Sequence, residues 1–447
     1  MGRIAAALLI VACASAQAAA DASLDKLLAS TGALAKEVSK IRGLKLKKPI
    51  PQDVVDEAEL RKRLLAMAAE DKSRKQTLGE GLMMKRWGML PQNTDYEALL
   101  VDLLTEQIAG YYDPETKKLT ISQTAGKDAM WAELVLAHEL DHGLQDQAFD
   151  LQKYEDLPDG SDDALNARHA VVEGDGIALM IELMLARKGQ AAPWSNPEVA
   201  TMLEKGMSVP GEGADKFDKA PLAVREGLIF PYQAGIGFVA ALRRSKPWSA
   251  VDAAFTNPPL STEQVMHPDR YFAGDLPIEV TVNTPPSLAD WKTAHSTVWG
   301  ELGFSLFLRA NGIDAGTAAL GAEGWGGDRV VTLERDGKTI GFGRFDWDSE
   351  VDAIEAEEAA VKALDSTVKG TLVRTQTTVR WMTQDGTVSV IDRKGPQMVM
   401  ANGVPPWLAD QFATEMWIAT GSRDPKRGAD PAAKLPAKKK LAPTSGQ

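Results

Sequence analysis

The chain has little that would let it build a disulfide framework or cross a membrane. Its 447 residues include one cysteine, Cys13, so no internal disulfide can form. Beyond residues 1–20 no stretch has roughly eighteen apolar residues in a row, so we expect no transmembrane helix. The net charge of −12 argues against nucleic acid as the main partner. The composition, 44% hydrophobic and 25% charged, is typical of a globular protein of about two or three domains.

The N-terminus has the pattern of a secretory signal peptide. Arg3 supplies a positive start, Ile4–Ala12 a short apolar core, and Ala18–Ala20 a cleavage site of small residues. This pattern predicts an exported protein, periplasmic or extracellular. A less favoured alternative is a lipoprotein, because Ile10–Cys13 resembles a bacterial lipobox whose cysteine would carry a lipid anchor.

Histidine is also scarce, with five in the chain, yet two of them lie four residues apart in the sequence His138-Glu139-Leu140-Asp141-His142. The flanking residues Trp131–Leu144 are apolar with helical spacing, and residues i and i+4 of a helix share a face. Both imidazoles can therefore reach one metal ion, with Glu139 beside them. Zinc hydrolases combine imidazole ligands with a carboxylate that takes a proton from water. We predict a Zn²⁺ site with His138 and His142 as ligands and Glu139 as general base. We expect Asp141 to face solvent; the less favoured alternative is that it orients a ligand imidazole.

A second apolar helix, predicted over Ala164–Arg187, carries acids in its middle, in the sequence Glu173-Gly174-Asp175-Gly176. A buried carboxylate costs stability, and such violations tend to mark functional sites. Since His₂Glu is a known catalytic zinc set, we predict Glu173 as the third ligand. His169 and Asp175 are rival ligands. Asp175 is alternatively a residue that orients a ligand imidazole, and a solvated His169 is the default interpretation. The two glycines would let another backbone, or the metal helix, approach closely.

Four segments together carry a resemblance to a known family: Tyr111–Pro114, Ala137–Gln147, Val172–Gly176 and Ser261–Pro268. They are similar to gluzincin zinc metallopeptidases, and more closely to a set of exported bacterial metallopeptidase-like proteins. The resemblance implies a zincin-like catalytic domain, zinc, and hydrolysis of peptide bonds in a peptide or protein substrate. Many gluzincins have an acid four residues after the ligand glutamate, which holds a ligand histidine. That position here is Ile177, so this role stays unassigned.

The resemblance also gives a meaning to the segment before the metal helix. Lys117–Ser122 alternates as a strand and follows a turn at Asp113–Thr116, so we expect a two-stranded ribbon. In zinc peptidases of this kind, a strand at that place offers its unpaired N–H and C=O groups to the substrate backbone. A purely structural hairpin is an equally good interpretation.

Hydrolysis of a peptide bond develops an oxyanion, which needs a hydrogen-bond donor besides the metal. His267, at the end of a short helix that begins near Ser261, is the first candidate for this catalytic role. Tyr232, a polar residue near the start of an apolar helix that begins at Arg225, is the second. The alternative for His267 is a structural loop in which its ring bonds to backbone.

The patterns predict an α+β fold that consists of a mostly helical zincin-like catalytic domain with a small edge sheet, and a small C-terminal α+β module. The predicted regions are a signal peptide (1–20), an N-terminal helical region (21–90), the catalytic domain (91–279), the C-terminal module (280–420) and a disordered tail (421–447).

Within the N-terminal region we expect a helix from Asp53 to Lys72. We favour this region as a first layer of the catalytic domain over a propeptide or lid. In the C-terminal module, hairpins at Asp336-Gly337 and Asp385-Gly386 flank an acidic helix, in the order ββαββ, and Gly324–Asp328 is expected to be a turn.

The sequence therefore predicts an exported zinc metallopeptidase. The alternative is a catalytically silent, zincin-derived envelope protein that binds peptides or partners.

Overall fold

Helices predominate in the first two thirds of the chain and strands in the last third. The computed structural model describes residues 8–10, 18–123, 129–204, 215–244, 246–375 and 378–425. The fold is mixed α+β, with a small sheet among the helices and a strand-rich C-terminal part. Cys13 and most of the predicted tail lie outside the described residues. None of the described helices combines the length and apolar composition that a bilayer-spanning helix requires.

The elements follow in chain order. The helices are α1 (Ala18–Arg42), α2 (Glu57–Ala68), α3 (Asp71–Arg86), α4 (Tyr96–Gln107), α5 (Ala129–Phe149), α6 (Leu151–Glu155), α7 (Asp162–Arg187), α8 (Pro197–Glu204), α9 (Asp215–Asp218), α10 (Leu222–Arg243), α11 (Ser249–Thr256), α12 (Thr262–Met266), α13 (Pro268–Ala273), α14 (Gly300–Ala310), α15 (Ala315–Ala322), α16 (Glu350–Thr367) and α17 (Phe412–Ala419). The strands are β1 (Leu8–Ile10), β2 (Gln52–Val55), β3 (Ile108–Asp113), β4 (Lys118–Ser122), β5 (Glu279–Val282), β6 (Lys292–Thr297), β7 (Trp325–Arg335), β8 (Lys338–Trp347), β9 (Gly370–Arg374), β10 (Thr378–Thr383), β11 (Val388–Lys394), β12 (Gln397–Val404) and β13 (Thr420–Arg423).

The predicted ribbon before the metal helix is present as the antiparallel pair β3–β4, but it belongs to a four-stranded sheet of order β1-β3-β4-β2. Strand β2 pairs in parallel with β4, and β1 pairs antiparallel with β3. The predicted helix from Asp53 to Lys72 is therefore wrong at its start. The β-branched Val54 and Val55 pair with β4, and the Asp56 side chain caps a helix that begins at Glu57.

Both predicted site helices are confirmed, as α5 and α7, and a third helix, α10, packs closely on α7. The close approach takes place at two glycines, Gly174 and Gly235. A Cβ added at position 174 would lie 2.2 Å from the Gly235 carbonyl oxygen. The expectation that the glycines admit a neighbouring helix therefore holds for Gly174, because no larger residue fits there.

The C-terminal part is larger than the predicted ββαββ module. Both predicted hairpins and the acidic helix α16 are present, but the sheet has seven strands, in the order β6-β7-β8-β12-β11-β10-β9. The segment expected to be a turn, Gly324–Asp328, enters strand β7 at Trp325. The predicted tail is wrong where it begins, because Thr420–Arg423 pairs with β5. The first error arises because the predicted hairpin is longer than expected, since Trp325 pairs with Trp347 of β8. The second involves a pairing between segments far apart in the chain, which local patterns do not encode.

The N-terminal helix α1 contributes a buried arginine to the helical layer. Arg42, at the end of α1, is fully buried and forms two hydrogen bonds with Asp175 of α7, at 2.7 and 2.9 Å. It also pairs with Asp252 at 2.8 Å and stacks on the Trp248 ring. These contacts support the interpretation of the N-terminal region as a first layer of the helical part.

Replacing Arg42 should show how much the helical layer depends on this contact. Arg42→Ala leaves the buried Asp175 without its guanidinium, so the free energy of unfolding should fall by about 3–5 kcal/mol in urea unfolding. The matched control is Arg187→Ala, since Arg187 joins α7 to Glu37 of α1 and Glu133 of α5 through partly exposed ion pairs. The control should lose about 1 kcal/mol or less. Equal losses in the two variants would contradict a special role for Arg42.

Candidate metal centre

The α5 helix presents two neighbouring imidazoles to one acid on α7. The His138 and His142 rings lie one turn apart, with centroids 4.4 Å from each other in a T-shaped arrangement. The Glu173 Oε2 atom lies 3.0 Å from Nε2 of His138 and 3.6 Å from Nε2 of His142. All three side chains are buried. The predicted ligands, which are 35 residues apart at their extremes, are thus brought to one point by α5 and α7.

The spacing of these three atoms suits a small tetrahedral ion. Two ligand atoms at the usual zinc distances are roughly 3.4 Å apart in a tetrahedron, close to the two separations observed here. One ligand atom from each of the three residues lies within 4.8 Å of the others. Neither predicted rival, His169 or Asp175, belongs to this group among the described residues.

The electrostatics of the centre favour a positive charge. Burial alone would raise the pKa of Glu173, but the two imidazoles outweigh it and lower this pKa to about 2. Burial likewise lowers the pKa of His142, but Glu173 and other neighbours raise it to about 10. The pKa of His138 is lowered, chiefly by burial. The carboxylate of Glu173 is therefore ionised at neutral pH and stabilises a cation beside it.

Gln145 orients one of the imidazoles, a role that sequence reasoning missed. Its Oε1 accepts from Nδ1 of His142 at 3.0 Å, which leaves Nε2 to face Glu173. Its Nε2 donates to Asp141 Oδ2 at 3.1 Å and to the Val172 carbonyl at 3.2 Å. An amide held from both sides defines the tautomer of a ligand histidine, as outer partners do in zinc sites. The sequence feature that could have predicted this role is a glutamine three residues after His142, on the buried face of the same helix.

Two of the nearby acids do not behave as predicted. Asp141 was expected to face solvent, but it is fully buried and accepts from Gln145, because α1 covers this side of α5. Asp175 contacts Arg42 and does not touch a ligand imidazole. Burial raises the pKa of both carboxyls, and the charge of Arg42 opposes that shift.

Glu139 lies beside the candidate ligands without a side-chain partner. It is fully buried, and no described side chain hydrogen-bonds either of its carboxylate oxygens. Burial raises the pKa of Glu139 to about 8. Strand β3 passes directly over it, since a Cβ added at Gly110 would lie 3.5 Å from Glu139 Cγ. Such a carboxyl can accept and release a proton near neutral pH.

The two predicted oxyanion donors lie on elements other than the two helices that carry the candidate ligands. His267 ends α12 and bonds to Glu301 of α14 at 2.9 Å. Tyr232 lies on α10 within the largest hydrophobic core. His169 was expected to be solvated, but it is 2% exposed and lies 3.8 Å from Glu155. Burial lowers the pKa of His169 to about 4, so its ring is neutral at pH 7.

Comparison with known proteins adds one family match. Residues 289–412 match a family described as a domain of unknown function, DUF8575. This match covers a minority of the chain, within the C-terminal strand-rich part, and does not include the candidate metal centre. The searches of curated proteins and of solved structures found no match.

The assignment of Glu173 can be tested by metal content. Glu173→Ala should lower zinc affinity by more than the roughly 10–100-fold that is typical of losing an outer partner of a metal ligand. His169→Ala, one turn away on the same helix, should leave bound zinc near the wild-type amount. Elemental analysis after gel filtration measures both. A larger loss of zinc in His169→Ala than in Glu173→Ala would identify His169 as the third ligand instead.

Gly176 allows the His138 ring to occupy its place. A Cβ at position 176 would lie 2.5 Å from both Cε1 and Nδ1 of that ring. Gly176→Ala should therefore displace the imidazole and weaken zinc binding by about 10–100-fold, measured by competition with a chelator. Gly32→Ala is the matched control, because Gly32 is also helical and has no atom within 4 Å of an added Cβ. If the two alanine variants bind zinc equally well, the contact with His138 does not matter.

Proposed function

We propose that this chain is an exported zinc-dependent metallopeptidase. The observation that carries the proposal is the convergence of His138, His142 and Glu173 with the buried carboxyl of Glu139, which has no side-chain partner, beside them. Two imidazoles and one carboxylate are a known ligand set of catalytic zinc, which keeps a further position for water or substrate. The signal-peptide pattern of residues 1–20 supports export.

The donor set of this chain fits zinc on chemical grounds. Nε2 of His142 and Oε1 of Glu173 are buried and have no hydrogen-bond partner among the described residues. Buried polar atoms are expensive to leave unsatisfied, so a bound cation would remove this cost. A zinc ion bound here would supply Lewis acidity, which polarises a carbonyl group and makes water more acidic.

Glu139 carries the proton transfers in the proposed reaction. Its carboxylate takes a proton from the attacking water and then returns it to the amine that leaves the cleaved peptide bond. A carboxyl group held beside the reacting atoms can act as base and acid in turn. Its position under β3 shields it from bulk solvent.

A peptide substrate is supported by the way strand β3 pairs beside the candidate metal centre. The outer edge of β3 pairs antiparallel with the extended segment Leu8–Ile10, in which Leu8 lies opposite Tyr111 and Ile10 opposite Ile108. An extended chain can thus add to this edge through backbone hydrogen bonds. Gly110, between these paired positions, lies against Glu139. A peptide on the same edge would run past the proposed general base.

The alternative is a silent envelope protein that binds peptides on this edge without turnover. Glu139 argues against it, because burying an acid without a compensating charge partner costs stability and a binding edge does not require one. In zinc sites of this class the acid that follows the first histidine serves the chemistry and not the binding of metal.

Replacing Glu139 separates the two functions. Glu139→Gln keeps the shape but removes the proton acceptor, so hydrolysis of an unfolded protein substrate should fall by about 100-fold or more. Bound zinc should stay at the wild-type amount, as measured by elemental analysis. Glu133→Gln, on the same helix and partly exposed, should retain activity. Full activity in Glu139→Gln would refute the mechanism, and an inactive zinc-loaded wild type would favour the silent protein.

A further inference from the structure

A cavity of about 380 Å³ lies where α3 of the helical part meets the C-terminal sheet. Its lining comes mainly from the end of α3, the end of α16 and the turn between β10 and β11, and its charged residues are Lys85, Arg86, Lys369 and Asp385. It shares no residue with the candidate metal centre. Its volume is within the range of small-molecule sites, roughly 300–1,000 Å³. We refer to it as the α3 cavity.

Arg86, the last residue of α3, is a cation without a partner in the described part of the chain. No described residue accepts a hydrogen bond from its side chain, and its Nε atom is buried. The carboxylate of Asp385 acts on it through its charge, but the two residues do not form an ion pair. Burial lowers the pKa of Arg86, and Asp385 only partly opposes this shift. A guanidinium has five N–H donors, so its burial without an acceptor needs an explanation.

Two glycines make room for the Arg86 side chain on the sheet. A Cβ added at Gly341 of β8 would lie 2.9 Å from Arg86 Cγ, and one added at Gly403 of β12 would lie 2.2 Å from Nη1. The Asn402 side chain donates to the Arg86 carbonyl oxygen at 2.8 Å. The arginine is thus held in a groove over two neighbouring strands, at the wall of the α3 cavity. A group that is held in advance loses little entropy when it binds a ligand.

The other charged residues of the lining leave a surplus of positive charge. Neither Lys85 nor Lys369 forms an ion pair with a described residue. Hydrogen bonds from Thr383 and Thr387 lower the pKa of Asp385 to about 2, so this residue is negative at neutral pH. The side chains therefore carry a net charge of +2. The C-terminal ends of α3 and α16 each offset about half a charge, which leaves a lining suited to an anion with a single charge.

The helix ends explain part of this arrangement without a ligand. Cations are favourable near the C-terminal end of a helix, and Lys85 and Arg86 lie in the last turn of α3, while Lys369 follows the end of α16. That explanation accounts neither for the buried Nε atom of Arg86 nor for the two glycines that admit its side chain. These two observations distinguish Arg86 from a cation that only complements a helix end.

We propose that the α3 cavity binds a small carboxylate, with Arg86 as the residue that recognises it. The planar fork of a guanidinium matches the two oxygens of a carboxylate, and Lys85 and Lys369 would add attraction through their charge. A phosphate monoester fits less well, because its charge of about −1.5 to −2 exceeds the surplus that the lining offers. The site does not depend on the proposed peptidase function.

The test uses zinc-loaded, full-length protein at constant ionic strength. The probe is N-acetylglycine, and the matched comparison is N-acetylglycinamide, which has nearly the same shape without the charge. The acid should raise the unfolding midpoint by a few degrees as its concentration rises, and the amide should not. No shift with the acid, or equal shifts with acid and amide, would overturn the proposal. A larger shift with inorganic phosphate at the same concentration would refute the choice of a carboxylate.

Variants locate the site. Arg86→Gln should weaken binding of N-acetylglycine by about tenfold or more in titration calorimetry, and Arg86→Lys should also weaken it because the fork is lost. Arg74→Gln is the matched control, since Arg74 is an exposed arginine on the same helix, and it should bind the acid as the wild type does. Should Arg86→Gln fail to fold, Lys369→Gln at an exposed position should still weaken binding by a few fold. If the acid binds Arg86→Gln as tightly as the wild type, it binds elsewhere, for example at zinc, and the proposal is wrong.

Discussion

The burial of one carboxylate between two imidazoles is the constraint on which the helical part of this protein depends. Glu173 lies 3.0 Å from His138 on a different helix, and both are shielded from water. An ionised group in that position is tolerated only if positive charge, on the imidazoles or on a bound metal, lies next to it. Small residues are needed where the helices meet, and Gly174 and Gly176 let α10 and the His138 ring approach α7.

Other buried polar groups around the candidate metal centre also need partners, and they find them in one another. Gln145 holds His142 and is itself held by Asp141, while Arg42 holds Asp175 on the opposite helix. The N-terminal helix therefore supplies the charge that lets these acids be buried around the candidate ligands. This explains why a segment that has no residue in the metal group still belongs to the packed core around it.

The sequence alone determined the parts of the site that obey a local period. The placement of His138 and His142 on one helix face follows from a spacing of a few residues, and so do the two helices that carry the candidate ligands. The structure has both helices, as α5 and α7. Tertiary structure alone decided the burial of Asp141, the task of Gln145 and the contact of Arg42 with Asp175, residues 133 positions apart. It also decided which strands flank β3–β4 and that Thr420–Arg423 pairs with β5. The physical reason is that periodicity reports which face of an element is apolar, while the partner that covers this face comes from a distant part of the chain.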